Sequence, residues 1–126
     1  MKISILLPYK ENFSPEYPGA VSLFVYETSK ISKFKKKITV FGNTRFKKRF
    51  NLKYININTK KELFNSQTKN YVNDFIKLEK LNNSSIIEVH NRPSYINIIE
   101  SKIKNKILTL YFHNDPLSMD GSKTIE

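Results

Sequence analysis

Ile86-Ile87-Glu88-Val89-His90-Asn91-Arg92-Pro93 and Ile107-Leu108-Thr109-Leu110-Tyr111-Phe112-His113-Asn114-Asp115-Pro116 are two runs with the same ending. Each is apolar and β-branched and closes on His-Asn-x-Pro. Such a run reads as a buried strand, and proline, which has no N–H for a ladder, marks where it stops. Residues 94–103 between them are long enough for a crossover helix. Two parallel strands joined by a helix would bring both His-Asn pairs to one edge of one sheet. In open α/β folds that carboxyl edge is where ligands bind.

Working outward, 126 residues with 39% hydrophobic content suit one domain with a modest core. Cysteine is absent, which excludes a disulfide framework and a thiolate metal site. The apolar stretch 3–7 is too short for a signal-peptide core or a membrane span and runs straight into Pro8. The expected location is cytoplasmic. The net charge of +11 comes almost wholly from lysine, with arginine only at 45, 49 and 92. Lysine, isoleucine and asparagine are over-used together, so A/T-rich codons account for the charge as well as a basic surface for anionic partners does.

From the start of the chain, residues 2–7 (KISILL) read as a first strand, apolar on both faces and suited to the middle of a covered parallel sheet. A loop rich in turn-formers follows to Gly19. Residues 20–32 then carry Val21, Phe24, Val25 and Ile31 at the spacing of one helical face. Residues 38–41 and 54–57 read as strands, with Gly42-Asn43 breaking the first of them. Thr59-Lys60-Lys61-Glu62 matches a capping box. It predicts a helix behind it with Phe64, Tyr71, Phe75 and Leu78 on one face, ended by Asn82-Asn83-Ser84. The order β-α-β-β-α-β-α-β predicts an α/β fold: a Rossmann-like parallel sheet with helices on both faces.

Several motifs carry chemistry. Gly121-Ser122-Lys123-Thr124 lacks the order and the earlier glycine of a phosphate-binding P-loop, and the loop 8–19 lacks a dinucleotide fingerprint. Gly19 is either an ordinary turn glycine or the place where a phosphate meets a helix N-terminus. His90 and His113, the only histidines, both fall at strand ends. Each could bond a sugar hydroxyl or phosphate, since neutral imidazole has one donor and one acceptor, or simply bond nearby backbone. A metal would need Asp115 or Glu88 as a further ligand and is not expected. Asp115 fits a general base or an Asx turn into Pro116 equally. Arg45-Phe46-Lys47-Lys48-Arg49-Phe50 alternates cations with aromatics. That fits an anionic membrane surface contacted by Arg45, Lys47, Lys48 and Arg49, or a solvated connection between strands. No RNA- or DNA-binding signature accompanies it, so nucleic acid is not an expected partner.

The opening KISILLP, Pro18-Gly19-Ala20 before an amphipathic helix, IIEVHNRP, and LTLYFHNDPLSMDGSKTIE together resemble the amino-terminal domain of family 4 retaining glycosyltransferases. These have the two-Rossmann-domain GT-B fold. The likeness is greatest to sugar transferases of bacterial surface-polysaccharide or lipopolysaccharide synthesis, and it spans residues 1–126 as an incomplete acceptor-side domain. The resemblance implies transfer of a sugar from a nucleotide-sugar donor to a glycan or lipid-linked acceptor, with no metal or other cofactor and peripheral contact with the inner face of the membrane. It implies donor contacts from Gly19, Ala20 and His113. His90, Asn91 and Arg92, with Asn114 and Asp115, would line the acceptor side. Many relatives have two glycines where this chain has Gly19-Ala20. The family's Glu-x7-Glu region belongs to its second domain and has no match here, so these residues alone are expected to transfer no sugar. The alternatives are a basic peripheral binding module for anionic membrane or nucleic acid, acting through residues 33–53, and a flavodoxin-like domain.

Overall fold

The computed structural model describes residues 1–60 and 66–113. Five strands form one parallel sheet: β1 (Ile3–Leu6), β2 (Ile38–Gly42), β3 (Tyr54–Asn56), β4 (Ile86–His90) and β5 (Ile107–Tyr111). Their order across the sheet is β3-β2-β1-β4-β5. The chain thus winds outward from β1 in one direction, returns, and continues from β4 in the other. A flavodoxin-like winding would put β3 beside β1; here β2 and β4 flank it, the Rossmann order. The order reverses between β1 and β4, and in open α/β folds the carboxyl ends at such a reversal are where ligands bind.

The alternation of side chains along a strand explains why both faces need cover. In β1, Leu6 faces one way, against Tyr71, Val72, Phe75, Tyr95 and Ile99 from α2 (Gln67–Asn82) and α3 (Pro93–Lys102). Its neighbours Ile5 and Leu7 face the other way, against Val21 and Val25 of α1 (Ala20–Lys30). Phe41 and Val40 of β2 divide in the same manner. A strand with two apolar faces is stable only between two helical layers, and β1 lies at the centre of the sheet as its composition predicts.

The helix ends follow local chemistry, with some departures from expectation. Pro93 occupies the first turn of α3, where its missing N–H costs nothing, so the proline that closes the first His-Asn-x-Pro also opens a helix. Asn83 ends α2 in the left-handed conformation at φ 52°, its N–H bonded to the Glu79 carbonyl at 2.7 Å. The start of α2 is not at Thr59: Ser66 is its cap, and the Ser66 hydroxyl accepts the Lys69 N–H at 3.1 Å. Glu62 and Phe64 lie outside the described residues. α1 stops at Lys30, so Ile31 does not join its apolar face but stands 80% exposed. Gly42 is the last residue of β2 rather than a break before it.

Candidate functional site at the carboxyl edge

The two rhyming strands lie side by side, in a register that pairs His90 with Tyr111. His113 therefore emerges just past the end of β5, within reach of the end of β4. Asn91 fixes that approach. It sits at φ 57°, a conformation asparagine tolerates better than most residues. Its N–H donates to the Tyr111 carbonyl at 2.8 Å, and its Oδ1 accepts the His113 N–H at 2.8 Å. The approach of His113 to His90 is thus made by one asparagine bonded on both sides.

The imidazoles then meet directly. Nδ1 of His90 lies 2.6 Å from Nε2 of His113, and Nε2 of His90 lies 2.7 Å from Oε1 of Glu88. Glu88 and His90 are two apart on a strand, which puts them on one face. His90 is 1% exposed and stacks on Tyr111 with centroids 5.3 Å apart. Phe24 of α1 meets the His113 ring edge-on at 4.6 Å, so both rings are held by packing as well as by hydrogen bonds. Partial burial is the main cause that lowers the His113 pKa, helped by the neighbouring His90 imidazole. The carboxylates of Glu11 and Glu88 act in the opposite sense without reversing it.

Gly19 precedes the first residue of α1, Ala20, and its small size has a specific cause. A Cβ built on Gly19 would stand 1.6 Å from Oε2 of Glu11. That same oxygen accepts the Ser22 N–H at 3.0 Å. At the start of α1, the feature that suggests a phosphate site, one of the free N–H groups, that of Ser22, is therefore already bonded to a carboxylate of the chain itself. Glu11 was not among the sequence candidates. The loop returns it to the helix start through the Gly19 N–H, which bonds the Asn12 carbonyl at 3.3 Å.

On the other side of β1, Lys10, Asn12, Asn43 and Arg45 line a cavity of about 330 Å³. Neither cation has a carboxylate partner among the described residues. Arg45 rests on the Phe46 ring, while Lys47 and Lys48 are exposed. Arg49 turns inward. Its Nε donates to the Phe46 carbonyl at 2.7 Å and its Nη2 to the Thr44 carbonyl at 3.2 Å. Phe50 also turns inward, stacking on Tyr26 at 4.3 Å. The run of cations and aromatics thus separates into a loop clamp and an outward trio. Arg92 is exposed, with Nη1 on the Asn91 carbonyl at 2.8 Å, beside the histidines rather than among them. Asn114 and Asp115 lie outside the described residues, as does the Gly121–Thr124 segment.

Fold and site together define a Rossmann-type α/β protein with an imidazole–carboxylate cluster at its carboxyl edge. Compared with protein-family models, with curated proteins and with solved structures, the chain matches none. Among the described residues, no group of three or more His, Cys, Asp or Glu side chains is placed to hold a metal ion. None of their helices is long and apolar enough to cross a membrane.

Proposed function

We propose that the chain carries the amino-terminal half-site of a glycosyltransferase that moves a sugar from a nucleotide-sugar donor to a glycan or lipid-linked acceptor, of the kind used in bacterial surface polysaccharides. The observation that carries this reading is the convergence of His90, Asn91 and His113 beside α1, at the carboxyl edge of the sheet in which the strand order reverses. In this role His113 bonds a hydroxyl of the donor sugar, and the backbone N–H groups behind Gly19 and Ala20 face its diphosphate. The diphosphate then exchanges with the Glu11 carboxylate, since both compete for the Ser22 N–H. Lys10 and Arg45, without a carboxylate partner among the described residues, offer charge to a phosphorylated acceptor.

Calorimetric titration of the chain with a panel of nucleotide sugars tests the reading. Saturable binding is expected for at least one of them, tighter than for its free nucleotide. His113→Ala should weaken it about fivefold, the loss of one hydrogen bond worth about 1 kcal/mol. Glu11→Gln should strengthen it by removing a competing charge. Absence of saturable binding across the panel, or indifference to His113→Ala, would count against sugar transfer.

A second reading is favoured by a separate observation. Lys33, Lys35, Lys36 and Lys37 are all exposed around Phe34, itself 40% exposed. Cations around an exposed ring suit an anionic membrane surface. Binding to anionic vesicles that weakens with salt, survives His113→Ala and fails when these lysines are neutralised would support it. The two readings are compatible in an enzyme with a lipid-linked acceptor.

A further inference from the structure

We propose that Glu88, His90 and His113 form a proton relay with a fixed direction, ending at Nδ1 of His113 as a general base for a ligand hydroxyl. This goes beyond sugar transfer and holds for any ligand that presents a hydroxyl at the carboxyl edge.

The direction follows from what each group can donate. An ionised carboxylate only accepts hydrogen bonds, so at the 2.7 Å contact with Glu88 the proton belongs to Nε2 of His90. A neutral His90 then has a bare Nδ1, which is an acceptor. The 2.6 Å contact with His113 therefore takes its proton from Nε2 of His113. The second ring is fixed in the same tautomer as the first, and its Nδ1 is left with a lone pair. Among the described residues no hydrogen bond engages that nitrogen. The arrangement is geometrically fixed. His90 is buried against Tyr111, Asn91 holds the His113 backbone, and Phe24 abuts the ring. His113 itself is only half-buried, so a ligand can reach it.

In the step proposed, the ligand O–H bond breaks as an N–H bond forms on Nδ1. The electron pair stays on the oxygen, which becomes the nucleophile toward an electrophilic acyl or phosphoryl co-substrate. Where the ligand is a sugar donor, the same Nδ1 accepts the hydroxyl's hydrogen bond without removing its proton. The positive charge that forms on His113 is shared along the hydrogen bond with His90 and faces the Glu88 carboxylate, and solvent later removes the proton. His113 is the catalytic residue; His90 and Glu88 position it and sustain its charge. The lowered pKa of His113 agrees with this role, because a base must be unprotonated at working pH.

Long-range proton–nitrogen correlation spectra of the histidine-labelled chain read the tautomers directly. Above the titration range, both rings should be protonated at Nε2 and bare at Nδ1. On acidification, His113 should gain its proton at Nδ1. Glu88→Gln should lower the His113 titration midpoint and slow acylation of Nδ1 by diethyl pyrocarbonate severalfold at neutral pH. The Glu88 side chain is 29% exposed, so this substitution leaves the core untouched, and a backbone spectrum checks it. A His113 ring protonated at Nδ1 in the wild type would mean that the relay runs the other way and would overturn the proposal. So would a midpoint and an acylation rate both unmoved by Glu88→Gln. If that variant does not fold, the wild-type tautomers decide alone.

Discussion

Replacing Gly19 by alanine is expected to destabilise the chain only while Glu11 is present. The backbone at Gly19 has φ −72° and ψ 157°, which alanine adopts without strain. What the methyl meets is the Glu11 carboxylate, with Oε2 at 1.6 Å, Cδ at 2.3 Å and Oε1 at 2.8 Å. The end of a glutamate side chain can swing away, so no backbone clash results. The cost is the hydrogen bond from the Ser22 N–H, and with it the favourable charge at the helix start. Loss of such a cap costs about 1 kcal/mol, within a range of roughly 0.5–2 kcal/mol. Glu11→Ala should cost about the same by itself. In the Glu11→Ala background the methyl has no carboxylate to displace. Gly19→Ala should then be neutral or stabilise by up to about 1 kcal/mol, because alanine loses less chain entropy on folding. The entropy gain is common to both backgrounds, so a coupling equal to the lost cap, about 1 kcal/mol, is expected from urea denaturation of the four proteins. Equal costs of Gly19→Ala in both backgrounds would refute the account of why this position is glycine.

Three further outcomes follow from other parts of the molecule. Glu79 is fully buried, accepting from Ser4 Oγ at 2.5 Å, from the Ser84 N–H at 3.0 Å and from Ser84 Oγ at 2.5 Å, with Lys106 Nζ at 3.5 Å. Glu79→Ala strands those donors and should cost about 3 kcal/mol or more by urea denaturation, whereas a surface glutamate should cost little. The folded-state pKa of His113 lies below its ordinary 6.5, so the unfolded chain takes up that proton more readily. The corresponding stability should be present in full above pH 6.5 and lost as pH falls through the lowered value, and His113→Asn should abolish that part of a pH–stability curve. The Tyr71 hydroxyl donates to the Leu7 carbonyl at 2.6 Å in the buried core, and burial raises its pKa well above the ordinary value. Tyr71→Phe should cost about 1–3 kcal/mol through the carbonyl left unpaired, read by the same denaturation.

The order of elements was legible because the strands are apolar runs that stop at a proline, a glycine or asparagines, but β5, expected to be buried, is an edge strand with no buried residue and Ile107 62% exposed. The convergence of His90 and His113 was legible for the same reason: parallel neighbours joined by one helix end at one edge. The partners of those residues were not. Glu88 shares a face of β4 with His90 by its spacing, but the sequence does not show that this imidazole is buried with its Nε2 turned to the carboxylate. Glu11 depends on the loop closing between Asn12 and Gly19, a contact no periodicity encodes. At the start of α2 the capping-box rule favoured Thr59 because Glu62 follows it at the right interval. Ser66, with Lys69 three residues on, caps with its hydroxyl alone and so lacks the reciprocal signal. Arg49 looked like one more surface cation. The connection from β2 to β3 has no helix to satisfy its carbonyls, and the guanidinium fork satisfies two of them.

The central claim is that the carboxyl edge at the reversal of strand order is a binding site for a hydroxyl-rich, phosphate-bearing ligand. Its most direct test is to follow backbone amide and imidazole signals of the labelled chain while a nucleotide sugar is added. The account predicts saturable shifts at Gly19, Ala20, Ser22, Asn91 and His113, with the His90 ring moving in step. Shifts confined instead to the cavity between α2 and α3, lined by Lys69, Asn73, Asn97 and Lys102, would contradict it.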